Sequence, residues 1–182
     1  MNEQNKTSEN TLISDTYREM NSALHSDPDY GRQGANRARP TADLLKATGL
    51  KTVLDYGSGK GSFGAEMQKI APTVTVVNYD PAIPQWAEDP PVCDVVLCND
   101  VLEHVEPDNI DGVLAHLASK VRHIALLSIA DHEAQKTLPD GRNAHLLVKP
   151  QEWWIEKLEN VLSIDQKLVH NRHYLFTCTP KR

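Results

Sequence analysis

The chain has 182 residues, 25 acidic against 19 basic, for a formal charge of −6, and no stretch approaches the roughly 18 apolar residues of a membrane span. This length suits one domain with a substantial core, and the acidic balance disfavours a polyanionic partner, so non-specific binding of duplex nucleic acid is not expected. The polar N-terminus has no signal-peptide core, and Cys93, Cys98 and Cys178 fit no zinc spacing. A cytoplasmic protein with reduced, buried thiols and no metal cluster is therefore expected.

Residues 1–10 are polar without apolar periodicity and read as a disordered tail ahead of a single domain, 11–182. Ile13, Tyr17, Met20 and Leu24 recur at three- and four-residue steps, which predicts an amphipathic helix ending near Ser26-Asp27-Pro28. Turn-forming residues to Gly31 and a basic run of Arg32, Arg37 and Arg39 follow. Pro40-Thr41 then opens a helix through Leu44 and Leu45 that Gly49 closes.

Residues 52–64 organise the rest. Thr52, Val53 and Leu54 suit a strand buried on both faces, and the run stops abruptly in Gly57, Gly59 and Gly61, which permit positive φ and let a ligand lie against bare backbone. The amides opening the next helix point at whatever sits there. Asp55, two residues ahead of the first glycine, can accept hydrogen bonds from a cationic amine. Residues 59–64 also spell Gly-x-Gly-x-x-Gly, which alone would suggest a nicotinamide dinucleotide and an oxidoreductase.

The phrase Val-Leu-Asp-Tyr-Gly-Ser-Gly-Lys-Gly resembles motif I of the class I S-adenosylmethionine-dependent methyltransferases. The family pattern is a hydrophobic pair, an acid, any residue and Gly-x-Gly-x-Gly, and each position is met. The resemblance implies a Rossmann-like α/β sandwich, mostly parallel, with an antiparallel hairpin at its C-terminal end. It implies S-adenosyl-L-methionine as cofactor, held by Asp55, Tyr56, Gly57, Ser58, Gly59 and Gly61. In this family the segment before the first strand often folds over the cofactor, so residues 11–40 become a helix and lid on a core of 41–182. Tyr17, His25 and Tyr30 become candidates for lining the acceptor pocket, against a plainer reading as helix and surface loop.

Phe63, Met67 and Ile70 mark one face of a helix that Pro72 ends, and residues 73–79 form the next strand. Asp80 lies 21 residues beyond Gly59, about the distance at which an acid meets ribose hydroxyls in nucleotide-binding sheets. Pro81 follows it at the cofactor's edge. Here the chain departs from the family. Only residues 81–93, with four prolines, separate Asp80 from the next strand, so the family's third strand should be shortened or absent. The loop carrying Ile83, Trp86 and Ala87 would then cover the adenine edge, with Glu88 or Asp89 as the adenine-binding acid.

Asp94–Cys98 is a strand, and the following Asn99, Asp100, Val101, Leu102, Glu103 and His104 resemble the segment that meets the methionine end of the cofactor in small-molecule methyltransferases. That assigns Asn99, Asp100 and Val101 to the cofactor. His104 either faces the acceptor as a base or pins the loop. Asp89-Pro90-Pro91-Val92 lies before the strand and lacks the aromatic that a base-extruding DNA amino-methyltransferase needs, and no Pro-Cys nucleophile follows the strand.

A helix inward at Ile110, Val113, Leu114 and Leu117, then a strand from His123 to Ala130, lead to the most polar stretch, residues 131–145. It follows a strand end, where α/β proteins gather ligands. His132 and His145 supply imidazoles that can take or give a proton, and Lys136, Arg142 and Asn143 can hold a small polar acceptor. His145, then His132 and His104, are the candidate catalytic bases. A helix through Trp153 and Trp154, with one ring in the core and the other at the pocket, precedes two closing strands over Val161–Leu168 and His170–Thr179. The expected function is methylation of an oxygen or nitrogen on a sugar, nucleotide or other metabolite. The alternatives are a nicotinamide-dependent oxidoreductase and a non-catalytic methyltransferase fold that binds a partner. Oligomeric state has no legible signal.

Overall fold

The structure, a computed structural model, describes residues 12–25 and 33–181. Six strands, Thr52–Tyr56 (β1), Thr75–Tyr79 (β2), Cys93–Asn99 (β3), Val121–Ala130 (β4), Leu162–His170 (β5) and His173–Pro180 (β6), form one sheet in the order β2-β1-β3-β4-β6-β5. The first four pair in parallel, and β6 lies antiparallel to both β4 and β5. The helices are Asp15–His25 (α1), Ala38–Thr48 (α2), Ser62–Ile70 (α3), Ile110–Ser119 (α4) and Gln151–Val161 (α5). Among the described residues, no helix is long and apolar enough to cross a membrane.

Successive strand residues face opposite sides of a sheet, so the continuous apolar runs of β1 and β3 serve two cores at once. Leu54, Val96 and Cys98 pack under α4 and α5 with Leu114, Leu117, Trp154 and Leu158. Val53, Val95 and Leu97 pack under α2 and α3 with Leu45, Phe63 and Met67. A third, small cluster joins Ile13, just ahead of α1, and Tyr17 of α1 to Ala82 and Leu138. All three cysteines are buried and free.

The family's third strand is absent, since residues 81–92 hold only a single 3-10 turn at Pro84–Trp86. Helix α2 begins at Ala38, two residues ahead of the Pro40 start, and Gly49 ends it at φ 76°. Strand β4 begins at Val121, not His123, because Val121 pairs with Cys93. The closing strands meet at Asn171-Arg172, both at positive φ (48° and 60°), as a two-residue hairpin with right-handed strand twist requires. Trp154 is wholly buried, whereas Trp153 is flanked by the ammonium groups of Lys149 and Lys157 and does not reach the pocket.

Candidate active site

Because β1, β2, β3 and β4 run in parallel, their carboxyl ends converge on one edge of the sheet. With α1 and the 131–145 loop they enclose a cavity of about 590 Å³, within the usual range for a small-molecule site.

At one end lies the glycine loop. Gly57, Gly59 and Gly61 turn at φ 81°, 51° and 69°. The amides of Gly57 and Ser58 donate to the carbonyl of Tyr79, 2.8 and 3.0 Å, tying the loop to the end of β2. Ser58 lines the cavity, and its buried Oγ has no partner among the described residues. Asp80 accepts from the amides of Gly59 and Ala82, both at 3.0 Å, so it braces the glycine loop while lining the cavity. Asp55 is 6% exposed, and burial, reinforced by the neighbouring Asp80 charge, pushes its carboxyl up to about 7. A cationic group beside it would reverse that shift.

Tyr56 also lines the cavity. Its hydroxyl pairs with His116 Nδ1 at 2.8 Å, and His116 Nε2 meets Asp89 Oδ1 at 2.8 Å. Lys120 also binds Asp89. Asp89 is thereby held on the outer surface of α4, and Glu88 is exposed, so neither acid reaches the pocket. Pro81 and Ala82 line it instead of Ile83, Trp86 and Ala87. The proline-rich segment turns back at once, the Asp80 amide donating to the Trp86 carbonyl, and carries the later residues outward.

After β3 the chain turns sharply at Asp100, φ 56°, whose amide donates to the Ser128 carbonyl. Asn99, Asp100 and Val101 all line the cavity. Arg37, read from sequence only as part of a basic run, donates through Nε to Asn99 Oδ1 and through Nη2 to Ser128 Oγ at 3.1 Å. It fastens the segment before α2 beneath the ends of β3 and β4.

The opposite end carries the histidines. His104 and His145 meet edge to face at 4.6 Å, and His132 lies 5.7 Å from His145 and 5.8 Å from His173. His173 Nε2 is 3.0 Å from Asp100 Oδ1. Nδ1 of His104 donates to the Ala144 carbonyl at 2.8 Å, and Nδ1 of His145 donates to the His132 carbonyl at 2.5 Å. Burial holds the His145 ring below the usual histidine range, partly offset by that carbonyl. Glu103 is wholly buried. Its Oε1 accepts from the Ala130 amide at 2.8 Å, its Oε2 has no partner among the described residues, and burial and then Asp100 push the carboxyl up to about 8.

Helix α1 roofs the cavity. The Tyr17 hydroxyl donates to the His104 carbonyl at 2.5 Å, and Ser14 donates through its amide and hydroxyl to Glu106. Tyr17, Lys136, His104, His132 and His145 all line the space. Arg142 and Asn143 do not. Arg142 pairs with Asp140 on the surface, and Asn143 is spent within the loop, exchanging hydrogen bonds with Ala134 and accepting from the His145 amide. Tyr30 and the side chain of His25 lie outside the described residues. His173 and Glu103 enter the site without having been assigned to it. Asn171, a residue type that tolerates the left-handed region, is the one local sign of the turn that His173 follows, whereas nothing local marks Glu103 as an acid that will be buried.

A family model described as a methyltransferase domain matches residues 30–174, well over half of the chain. No curated protein sequence matches. Among solved structures, the chain is similar to the 1,6-didemethyltoxoflavin-N1-methyltransferase of Burkholderia thailandensis with bound 1,6-didemethyltoxoflavin and S-adenosylhomocysteine. That match has a TM-score of 0.62 at 20% identity, over 92% of this chain and 88% of that one. It is also similar to an O-methyltransferase family protein of the same organism, TM-score 0.61 at 15% identity, and covers 93% of this chain but only 63% of that one. A third likeness is to the magnesium protoporphyrin IX methyltransferase of Synechocystis PCC 6803 with bound SAM, TM-score 0.52 at 19% identity over 81% and 79% of the two chains. The match and the antiparallel β5–β6 pair set aside the nicotinamide reading of residues 59–64. With its parallel sheet, glycine turn and closing hairpin, the chain belongs to the methyltransferase-domain family and has the class I fold, whose methyl donor is S-adenosylmethionine.

Proposed function

We propose that the protein transfers a methyl group from S-adenosylmethionine to an oxygen or nitrogen of a small polar acceptor. The observation that carries this is the continuity of the cavity: one space runs from the glycine and acid cradle to the histidines. The residues present fit the donor. The bare backbone at Gly57 and Gly59, the Ser58 hydroxyl, unpartnered among the described residues, and the buried acid Asp55 suit an adenosyl amino acid with a cationic amine. Asp55 takes the amine, Asp80 offers its remaining lone pairs to ribose hydroxyls, Asn99 and Asp100 border the amino-acid end, and Pro81, Ala82 and Val101 supply apolar wall.

When bound there, the donor supplies a methyl carbon whose bond to sulfur breaks, the electron pair staying on sulfur, as the acceptor's lone pair forms the new bond. The protein's task is to place that lone pair about 3 Å from the carbon, in line, and to exclude water. Tyr17 and α1 close the space, Lys136 can hold an anionic or hydroxylated group, and His104, His132 and His145 face the acceptor's reacting atom. Release of S-adenosylhomocysteine, followed across sugars, nucleotides and other metabolites, tests the reading. His145→Ala should lower turnover by tenfold or more while leaving calorimetric affinity for S-adenosylhomocysteine near the parent value. Equal loss of both would make His145 structural, and tight S-adenosylhomocysteine binding without turnover on any acceptor would favour the non-catalytic alternative.

A further inference from the structure

We propose that Glu103, His104 and His145 form a site for a divalent first-row transition ion, of the zinc or cobalt type, at the acceptor end of the cavity. One ligand atom from each residue lies within 4.8 Å of the other two. Neighbouring ligands on a tetrahedral zinc stand about 3.4 Å apart, so the three atoms need to close by no more than about 1.4 Å to share one ion. The sequence hid the group, because Glu103 and His104 are adjacent while His145 is supplied by the loop that follows β4.

Three further features point the same way. A carbonyl oxygen can only accept, so Nδ1 carries the proton in both His104 and His145, and in each neutral ring the lone pair is on Nε2. A backbone carbonyl behind each imidazole is the arrangement that orients metal-binding histidines. Glu103 is fixed by the Ala130 amide at one oxygen and leaves the other, wholly buried, without a partner among the described residues. Such an oxygen is costly unless a cation or donor meets it. Two imidazoles and one carboxylate are the donor set of catalytic sites that keep a coordination position open for water or substrate.

The role of the ion rests on the methyl-transfer reading, but its binding does not. An acceptor hydroxyl occupying the open position would give its proton to solvent, and the metal-held oxygen would then present its lone pair for the new oxygen–carbon bond. The ion would supply what a base alone otherwise must, and would select acceptors bearing a hydroxyl over those bearing only an amine.

The test uses the full chain carrying no histidine tag, stripped with a chelator. Cobalt(II) is followed by its visible ligand-field bands and zinc(II) by calorimetry, in the parent, Glu103→Gln and His145→Ala, with folding checked by circular dichroism. One ion per chain is expected, weakened about tenfold or more in each folded variant. Should Glu103→Gln fail to fold, His145→Ala decides. Absence of saturable binding, or binding untouched by the folded variants, as a site on His132, His173 and Asp100 would give, overturns the proposal. Calorimetry of S-adenosylhomocysteine with the stripped parent separates the two claims, because loss of that ligand with the ion retained defeats the donor reading alone.

Discussion

Gly57→Ala tests the geometry of the cradle. Gly57 turns at φ 81°, and a Cβ built there would lie 2.7 Å from Val101 Cγ1 and closer still to Cγ2. Val101 cannot easily withdraw, since Asp100 before it is fixed to the Ser128 carbonyl and His104 after it donates its amide to the Val101 carbonyl. Left-handed backbone costs an alanine about 1–2 kcal/mol, and forcing a methyl into packed space costs about 1–3 kcal/mol. The alanine's smaller unfolded-state entropy returns about 0.4–1 kcal/mol. A net loss of about 3 kcal/mol, at about 2–4 °C per kcal/mol for a chain of this size, lowers the melting temperature by about 6–12 °C. Scanning fluorimetry of Gly57→Ala, Val101→Ala and the double variant measures this. Val101→Ala removes the clash but not the backbone strain, so the double variant should recover roughly half of the loss. A Gly57→Ala chain melting within about 2 °C of the parent refutes the reasoning. So does a double variant no better than the sum of the single changes, for then Val101 is not what the methyl meets.

Asp55→Asn should stabilise the ligand-free chain. The folded Asp55 carboxyl titrates near 7 against 3.8 when unperturbed, so the stability it allows below pH 4 is lost as pH rises towards 7, a loss asparagine avoids. Melting at pH 8 should rise relative to the parent, with the gap closing by about pH 4, while calorimetry shows weaker S-adenosylhomocysteine binding. Asp94 has the opposite sign. The Lys51 amide first, then Arg122 and Thr52, hold its carboxyl well below the usual range, so its contribution is present at neutral pH and fades as the solution becomes more acid than an ordinary carboxylate. Asp94→Asn should lower neutral stability and flatten the acid limb of a pH–melting curve. Arg37→Ala should cost about 1.5–3 kcal/mol in urea unfolding, because it strips Asn99 and Ser128 of a charged donor. It should also weaken S-adenosylhomocysteine binding through the freed Asn99.

The fold was legible wherever one local pattern carried it. The strand-to-glycine switch at 52–61, the proline-rich gap at 81–92 and the alternating closing segments correspond to β1 and its loop, the missing strand and the β5–β6 hairpin. Boundaries moved where pairing overrode pattern, as at Val121, whose place is set by Cys93 across the sheet. The site was legible by neighbourhood and less so by residue. Within 131–145, composition marked a chemically rich loop, but the loop's own hydrogen bonds are not readable from composition: Lys136 and His145 line the cavity, whereas Asn143 is spent on Ala134 and the His145 amide. Glu103 and Arg37 were hidden for the opposite reason. Charged residues are rarely buried, and nothing local shows that one will be covered by a strand end or a distant turn.

The cluster beneath α1 is separate from the cores on either face of the sheet. Raising that helix together with the two residues ahead of it would part Ile13 and Tyr17 from Ala82 and Leu138 and break the Tyr17–His104 and Ser14–Glu106 ties, with no strand pairing involved. Local opening of α1 and global melting should thus be distinct events. The first exposes little surface, so amides near α1 should open with a far shallower denaturant dependence than those of β3.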